Sequence, residues 1–409
     1  MKRLGRSRAY TASLTLIMTS VMALGGVGQS RAETMAANAE KTIRVATFNA
    51  ALNRPKAGEL AKELQTGQSV QAQRVAEIIQ RVAPDVLVLQ EFDWDENGVG
   101  LALFQENYLR ESQNGAPPQN YPHIYIPSVN TGEPSGFDLD RNGKQGEAGD
   151  AYGFGRFPGQ YGFVILSKHP LESKNIRTFQ RFLWASMPGA RLPENPKTPG
   201  QGWYDKATLG VLRLSSKNHV DVPVRVGSKV IHLLVSHPTP PVFDGPENRN
   251  GRRNFDEIRL WADYISPRKA GYLTDDHGKQ GGLKESASFV IIGDLNADPI
   301  DGDSMAGAMA QLSTHPRVHQ QVATGKQVPT SLGGQINAKR QKDRGNPAHD
   351  TAGWGLRVDY VLPSADLVVS KTGIFWPPPN DPLAYLIKAD SQGRSSSDHR
   401  LVWVDIQTL

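Results

Sequence analysis

The chain has 409 residues, of which 38% are hydrophobic and 8% aromatic, so it can build a sizeable core and global disorder is excluded. It contains no cysteine, which excludes disulfides, thiolate nucleophiles and cysteine-ligated metals. The net charge of +5 comes from residues 1–32, which carry five basic residues and no acidic one. The remainder sums to 5 − 5 = 0 and lacks the general basic field of a protein that grips long nucleic acid.

The N-terminus has the pattern of a secretory signal peptide. A basic start is followed by the uncharged stretch 10–27, and Ser30 and Ala32 place small residues where a signal peptidase cleaves. Thr, Ser and Gly interrupt the uncharged stretch, which is therefore marginal for spanning a bilayer as an uncleaved anchor. We predict a signal peptide over 1–32, a mobile leader over 33–41, export to the periplasm or the exterior, and no stable membrane insertion.

Hydrophobic periodicity predicts alternating strands and helices along the remaining chain. Strands at 43–48 and 86–89 flank an amphipathic helix over 69–82, in which apolar residues recur at i, i+3, i+4 and i+7. A second helix is predicted over 254–265. Further strands are predicted at 161–166, 211–214, 222–226, 230–235, 289–292, 358–362 and 401–406.

Two long loops interrupt this series, a Gly- and Asp-rich one at 113–160 and a Pro-rich one at 183–205. The sequence has no internal repeat and no linker long enough to divide it. Strands spread from one end to the other, with few helices between them, favour one α/β domain over 42–409 in which two packed sheets carry outer helices.

Polar residues recur at the ends of the predicted strands, with Asp359 inside a strand and Asp398 and His399 just before the last one. They are Asn49, Glu91, His237, Asp294, Asn296, Asp359, Asp398 and His399. Taken singly, each has a structural alternative such as a turn cap, a helix N-cap or an Asx-turn. An ionised carboxylate at the mouth of an apolar sheet is costly unless it is paired or binds a metal, and independent capping does not explain so many. If they converge, they supply two imidazoles and oxygen ligands for Mg²⁺ or Mn²⁺, which suits phosphate chemistry.

Short motifs surround these residues in a fixed order. They are Thr47-Phe48-Asn49, Leu89-Gln90-Glu91, Tyr161-Gly162 through Leu166-Ser167-Lys168, Ser236-His237, Gly293-Asp294-Leu295-Asn296-Ala297, Arg357-Val358-Asp359-Tyr360 and Ser397-Asp398-His399. The ordered set resembles that of the endonuclease/exonuclease/phosphatase superfamily, which includes pancreatic-type deoxyribonucleases, abasic-site endonucleases, neutral sphingomyelinases and inositol polyphosphate 5-phosphatases. The resemblance runs from about residue 43 to 406. It implies a four-layer α/β sandwich, two mixed sheets flanked by helices, with the site at the mouth of the sheets.

For the acidic positions, the resemblance implies a metal centre. Glu91 would be the principal metal ligand, with Asn49 and Asp398 close by. Asp294 would position or deprotonate the attacking water. The metal would be Mg²⁺ or Mn²⁺, and the resemblance leaves open whether one ion or two are bound.

For the remaining positions, the resemblance implies roles in binding the phosphoryl group and moving protons. Asn296 would donate a hydrogen bond to the phosphoryl oxygens. His399, oriented by Asp359, would be a general base or a transition-state stabiliser. His237 would contact the phosphate or protonate the leaving oxygen.

Two further patterns suggest ligand sites of their own. Asp138, Asp140 and Asn142 begin a D-x-D-x-N-G run typical of a calcium loop, although Gly149 stands where a bidentate Glu is expected; the alternative is an Asp/Gly turn. A basic cluster precedes the second predicted helix and would hold a second phosphate or form a solvated turn. The cluster consists of Arg249, Arg252 and Arg253.

The expected function is an exported, divalent-metal-dependent phosphoesterase that cleaves phosphodiesters or phosphomonoesters by in-line attack of water. Zero net charge after residue 32 and acidic loops favour small phosphorylated substrates over polymers, and we expect a monomer. Three alternatives stay open. They are a secreted endonuclease, which needs a basic groove for nucleic acid; a lipid phosphodiesterase, for which no apolar hairpin is evident; and a non-catalytic binding module on the same fold.

Overall fold

The structure is a computed structural model that describes residues 41–337, 344–391, 393 and 395–408. The predicted signal peptide and all but the last residue of the predicted leader lie outside the described residues. Residues 42–408 form one compact unit. Within the described ranges, no helix combines the length and the apolar character that crossing a bilayer requires.

Strands of the described chain assemble into two mixed sheets. In chain order the strands are β1 (Lys41–Leu52), β2 (Val86–Phe92), β3 (His123–Tyr125), β4 (Phe163–Ser167), β5 (Arg177–Thr178), β6 (His219–Val226), β7 (Lys229–Ser236), β8 (Ser288–Asp294), β9 (Asp359–Pro363), β10 (Val368–Ile374) and β11 (Val402–Thr408). The first sheet has the order β10-β11-β1-β2-β4-β3, and the second has the order β5-β6-β7-β8-β9. Each sheet contains one parallel pair, β1 with β2 and β7 with β8, among the pairs whose direction is resolved.

Helices lie along the chain between these strands. The α-helices are α1 (Glu59–Leu64), α2 (Val70–Val82), α3 (Val99–Phe104), α4 (Lys206–Leu209), α5 (Arg249–Tyr264), α6 (Ala310–Ser313), α7 (Gln320–Ala323) and α8 (Leu332–Gln335). A π-helical turn, Gln105–Leu109, continues α3. The 3₁₀ turns are Ala148–Asp150, Ser173–Asn175, Trp184–Ser186, Ala270–Tyr272, Pro347–His349 and Pro382–Leu386.

Alternating side chains divide the core into an inner layer and two outer layers. On β1, Val45 points into the inner cluster that both sheets share, whereas Phe48 belongs to the outer cluster beneath α2. On β8, Ile292 points inward and Ile291 outward, against the buried Trp261 of α5. This period of two is what a strand buried on both faces requires. The result is helix, sheet, sheet and helix, which confirms the predicted four-layer α/β sandwich.

The structure departs from the predicted elements at several positions, including the following three. Residues 211–214 form only an isolated bridge between Arg213 and Leu183, because backbone bonds to neighbouring loop segments replace a strand ladder. Helix α5 begins at Arg249 rather than at 254, since its first turn is polar and has no apolar period. Strand β10 was not predicted. It pairs with β11 at the edge of the first sheet, where exposed polar residues weaken the alternation.

Candidate active site

Strand ends from both sheets meet at a single buried amide. Parallel pairing places Asn49 of β1 opposite Gln90 of β2, so that Glu91 follows beside it. Asp294 is the last residue of β8 in the other sheet. The Nδ2 atom of Asn49 lies 3.1 Å from Glu91 Oε1 and 3.1 Å from Asp294 Oδ2. One amide therefore joins two carboxylates that are 203 positions apart in sequence (294 − 91).

Glu91 occupies a strained backbone position and is fixed through both carboxylate oxygens. Its second oxygen, Oε2, accepts a hydrogen bond of 2.9 Å from Asn53 Nδ2. Its φ is 54°, and φ of Asn296 is 50°. Left-handed backbone costs a non-glycine residue about 1–2 kcal/mol and persists where the surroundings enforce it, often at functional sites. The strain therefore marks both residues as functional candidates.

Asp294 is the central carboxylate of the site and is almost fully buried, at 1% exposure. Its Oδ2 lies 3.4 Å from His237 Nε2 and 3.7 Å from His399 Nε2, while its Oδ1 accepts the Asn296 N–H at 2.9 Å. Burial raises the pKa of Asp294 to about 7, although the neighbouring His399 acts in the opposite direction. A carboxylate with this pKa is a competent proton acceptor near neutral pH.

His399 forms an imidazole–carboxylate pair with Asp359. Its Nδ1 lies 2.9 Å from Asp359 Oδ2, and both side chains are buried. Burial disfavours the charged imidazole, but Asp359 and Asp294 outweigh burial and raise the pKa of His399 to about 10. The ring is therefore cationic at neutral pH, with Nε2 directed towards Asp294. The half-exposed Trp354 packs edge-on against it, with ring centroids 5.0 Å apart.

His237 is the opposite kind of imidazole. Burial, together with the charges of Lys217 and His399, holds its pKa well below the usual value. Its Nδ1 has no hydrogen-bond partner within the described residues. The site thus pairs a cationic and a neutral imidazole across one carboxylate, Asp294, and this division of charge gives the two rings different chemical capacities.

Loops behind the site are held by the buried carboxylate of Glu257 on α5. Its Oε1 accepts the Ser216 N–H at 2.7 Å and its Oε2 accepts the Thr239 N–H at 2.6 Å. Its backbone carbonyl lies 2.9 Å from His219 Nε2. The helix therefore ties the loop before β6 to the loop after β7, which carries His237.

The buried His219 makes the protein sensitive to acid. Burial lowers its pKa to about 3. The unfolded chain protonates this imidazole near pH 6.5 and the folded chain does not, so stability is complete above pH 6.5 and is lost as the pH falls towards 3. Each such group contributes a slope of about 1.4 kcal/mol per pH unit in that window. We expect His219→Gln to flatten the pH dependence of the unfolding free energy by that amount.

Urea unfolding between pH 7 and 5 measures this slope for the wild type and for His219→Gln. Equal slopes in the two proteins contradict the prediction. Should His219→Gln not fold, an NMR titration of the wild-type imidazole decides instead, since protonation of the folded ring near pH 6.5 also contradicts it.

Asn296 and Asp398 lie at the rim of the site. The Asn296 amide donates to Pro238 O at 3.1 Å and so links the loops that follow β7 and β8. Ser397 donates to Asn49 O at 2.7 Å, which places the Asp398 turn beside the buried amide. Asp398 itself is exposed and borders a surface cavity of about 570 Å³. The roles predicted for both residues stay predictions.

The predicted calcium loop forms an acidic cluster, but its residues are not all those that were predicted. Asp138, Asp140 and Asp150 place carboxylate oxygens within 4.8 Å of one another. Asn142 donates to Asp140 at 3.2 Å and to Glu147 at 2.8 Å. Asp150, one position beyond the expected twelfth residue, joins the acids instead of a Glu. Binding of Ca²⁺ by this loop stays a prediction.

The predicted basic cluster is divided by the structure. Arg253 is partly buried and donates to three carbonyls, those of Leu214, Arg213 and Tyr152, so its guanidinium supports the scaffold. Arg249 pairs with the carboxylate of Glu247. Within the described part of the chain, the one hydrogen bond of the Arg252 side chain goes to a carbonyl, Leu192 O, at 3.4 Å. A phosphate contact from Arg249 or Arg252 stays a prediction, whereas the bonds of Arg253 direct it away from such a role.

Four residues of the site surroundings were missed from the sequence. They are Asn53, Lys217, Glu257 and Trp354. Only Glu257 carries a signal, because it is an acidic residue on a helix whose neighbours Phe255 and Ile258 face the core. The others lie outside the ordered motifs, on segments without periodicity.

The donor set fits a hard divalent cation. Glu91, Asp294 and Asn49 bring oxygen-bearing side chains together, and two carboxylates share one amide donor, which leaves negative charge for a cation to balance. Asp294, Asp359 and His399 also place ligand atoms within 4.8 Å, but His399 Nδ1 is already bonded to Asp359. A divalent cation held by Glu91 and its neighbours would supply Lewis-acid neutralisation of a phosphate.

Two mixed sheets, whose strand ends gather carboxylates, an amide and two imidazoles, define a sandwich-fold phosphoesterase. The model of the Endonuclease/Exonuclease/phosphatase family matches residues 46–399, and the chain belongs to this family. This confirms the resemblance drawn from the motifs. Members of the family are phosphoric ester hydrolases, and so is this chain.

Solved structures similar to this chain include three from different organisms. An endonuclease/exonuclease/phosphatase from Beutenbergia cavernae has 16% identity and a TM-score of 0.45, covering 90% of this chain and 72% of that one. Sphingomyelinase C from Streptomyces griseocarneus has 15% identity and a TM-score of 0.45, covering 89% and 99%. TDP2 from C. elegans has 16% identity and a TM-score of 0.43, covering 94% and 81%. No curated protein matches the chain in sequence.

Proposed function

We propose that this protein is an exported phosphoesterase that uses Mg²⁺ or Mn²⁺ to hydrolyse phosphodiester or phosphomonoester bonds by in-line attack of water. The observation that carries the proposal is the single buried cluster in which Asn49 contacts Glu91 and Asp294, and in which Asp294 faces His237 and His399. A proton acceptor, two imidazoles and a second carboxylate thus lie around one amide and one carboxylate, as phosphoryl transfer requires.

Proton transfer falls to Asp294 in this proposal. Its pKa of about 7 lets it accept a proton from the attacking water, whereas His399, with a pKa of about 10, already holds one. His399 instead donates from Nε2 to a phosphoryl oxygen as negative charge develops there. The bond from Nδ1 to Asp359 keeps that ring protonated and oriented.

Neutral donors complete the phosphate pocket. His237, uncharged because it is buried, presents Nε2 on the other side of Asp294 and contacts the phosphate as a hydrogen-bonding group. Asn296 donates its amide to Pro238 O, next to His237, and is assigned a hydrogen bond to the phosphoryl oxygens. Fixed donors of this kind stabilise the transition state without reorganising during the reaction.

The substrate is proposed to be a small phosphorylated molecule. Zero net charge after residue 32 provides no general attraction for a polyanion. Export rests on the signal-like sequence of residues 1–32, and the protein is proposed to act as a monomer.

A panel of chromogenic phosphodiesters and phosphomonoesters, assayed with Mg²⁺, Mn²⁺ and Ca²⁺ in turn, tests the proposal. We expect turnover that requires added Mg²⁺ or Mn²⁺ and that a chelator abolishes. Absence of turnover with every ester and metal, together with absence of metal binding in calorimetry, rejects the proposal and favours a binding module.

Assays with plasmid DNA and with lipid vesicles test the two other enzyme functions, a nuclease and a lipid phosphodiesterase. Plasmid nicking at low and at high salt tests for a nuclease, because phosphate-backbone contacts weaken as salt rises. Release of headgroup from sphingomyelin or phospholipid vesicles tests for a lipid phosphodiesterase. Nicking or headgroup release that exceeds turnover of the small esters contradicts the proposed preference for compact substrates.

A further inference from the structure

Lys217 is a buried cation beside the candidate active site. It lies on the loop that leads into β6, and only 7% of its surface is exposed. Among the described residues, its ammonium group makes no hydrogen bond and no ion pair. A lysine side chain buried to this extent without an ion-pair partner is rare in a protein interior. A bound anion would provide the counter-charge that the described residues do not place next to this lysine.

The backbone around Lys217 is fixed against the catalytic loops. Ser216 donates its N–H to Glu257 at 2.7 Å and its hydroxyl to His237 O at 3.2 Å. The carbonyl of Lys217 accepts the Asn130 N–H at 2.9 Å. Bonds on both sides of the residue hold this segment next to His237, so the position of the lysine is built into the fold.

The charge of Lys217 acts on the site residues themselves. Burial lowers its pKa, while Glu257, Glu91 and Asp294 act in the opposite direction. Lys217 in turn helps to keep His237 neutral. Within the described residues no carboxylate pairs with the ammonium group, and the neighbouring Ser216 holds the Lys217 loop against His237 O. Both carboxylate oxygens of Glu257 accept hydrogen bonds from backbone N–H groups. Glu257 therefore contributes negative charge near Lys217 without a direct bond to it.

Geometry of this kind suits an anion bound between the lysine and the carboxylates. A structural lysine would be expected to form an ion pair with one of them, and a surface lysine would be solvated. Here the cation is buried, unpaired and adjacent to the residues proposed to bind and attack a phosphate.

We propose that Lys217 is a substrate-binding residue whose ammonium group donates to a non-bridging oxygen of the bound phosphoryl group, which the cationic His399 also contacts. The inference deepens the proposed function, on which it rests. It identifies the ligand of the pocket as a tetrahedral phosphoryl oxyanion that Lys217 and His399 both contact. Charge-assisted hydrogen bonds of this type are among the stronger polar contacts in proteins.

Titration calorimetry of the full chain with inorganic phosphate, in saturating Mg²⁺, tests the inference. We expect Lys217→Met to weaken phosphate binding roughly 10- to 100-fold, as loss of a charge-assisted hydrogen bond predicts. Lys217→Arg should keep most of the affinity because guanidinium also donates to phosphate. Lys229→Met removes an exposed lysine at the far end of the β6–β7 hairpin and serves as the control.

The thermal midpoint and the Mg²⁺ affinity of the variants distinguish a binding role of Lys217 from a structural one. Removal of a buried, unpaired charge should leave the thermal midpoint of Lys217→Met unchanged or higher, and should leave Mg²⁺ affinity unchanged or tighter, because a cation near Glu91 is gone. A lower midpoint together with weaker Mg²⁺ binding in both the Met and the Arg variant shows a structural role and overturns the inference.

Equal phosphate affinity in wild type and Lys217→Met also overturns it, as does failure of the wild type to bind phosphate at all. The outcomes are distinct from those that test the proposed function. Phosphate binding that depends on Lys217, without turnover of any ester, rejects hydrolysis but supports the anion site. Turnover with phosphate binding that ignores Lys217 rejects only the lysine inference.

Discussion

Replacing His399 by Ala should lower kcat by roughly 10²- to 10³-fold, because it removes the cation that faces Asp294 from the loop before β11. The loss should appear in kcat more than in KM, since the contact strengthens as charge develops on the phosphoryl oxygens. Steady-state kinetics on the best substrate of the chromogenic panel measures it. His277→Ala removes an exposed imidazole from a remote segment of sequence and serves as the matched control.

The partner variant Asp359→Asn decides which protonation state of His399 is active. Asp359 is bonded to His399 Nδ1 and helps to raise the pKa of that imidazole to about 10. Without the carboxylate the pKa falls. If the cation is the active form, the alkaline limb of the pH–rate profile moves to lower pH. If the neutral ring acts as a base, the acidic limb moves to lower pH instead.

Profiles of kcat/KM from pH 5 to 10, for wild type and Asp359→Asn, separate these outcomes. An alkaline limb that stays in place contradicts the cationic form of His399, whereas the acidic limb also responds through Asp294, because Asp359 raises the pKa of that carboxyl as well. Unchanged turnover in His399→Ala, with metal bound, removes the histidine from the mechanism altogether.

The residues at strand ends were predictable because two signals coincide there. Apolar alternation predicts where β1, β2 and β8 end, and a polar residue immediately beyond a buried strand stands out against it. Asn49 and Asp294 were identified in this way. Their mutual contact was not derivable from either strand, and it followed from the ordered motifs, which imply that the sheets face each other.

The surroundings of the site were less predictable for a physical reason. Lys217 stands out because its side chain is buried without an ion-pair partner among the described residues. This property depends on the fold and cannot be predicted from the sequence. Trp354 is brought to His399 by a turn whose Gly353 N–H donates to Asp398 O at 2.7 Å, a contact across 45 residues (398 − 353). Strand β10 was not predicted because an edge strand shows only part of the alternation between buried and exposed residues.

Replacing Glu91 by Gln should weaken Mg²⁺ binding by at least roughly 10- to 100-fold, the loss that even outer-shell changes cause at metal sites. The amide keeps the size of the side chain and still accepts from Asn53, but it removes the negative charge, and its NH₂ group opposes the donor of Asn49. Turnover at a fixed, low Mg²⁺ concentration should fall with occupancy. Calorimetry with Mg²⁺ and a metal titration of the rate measure the two effects separately.

Glu106→Gln is the matched control, because Glu106 is an exposed glutamate that pairs only with Arg110 at the surface. If Glu91 is a metal ligand, saturating Mg²⁺ should restore part of the rate in Glu91→Gln and should change nothing in Glu106→Gln. If Glu91 only anchors Asn49, Mg²⁺ affinity stays at the wild-type value, no metal concentration restores the rate, and the thermal midpoint falls. The second result would assign the metal to Asp294 instead of Glu91. Because burial raises the pKa of Asp294 to about 7, a bound cation would then keep this carboxylate ionised at neutral pH.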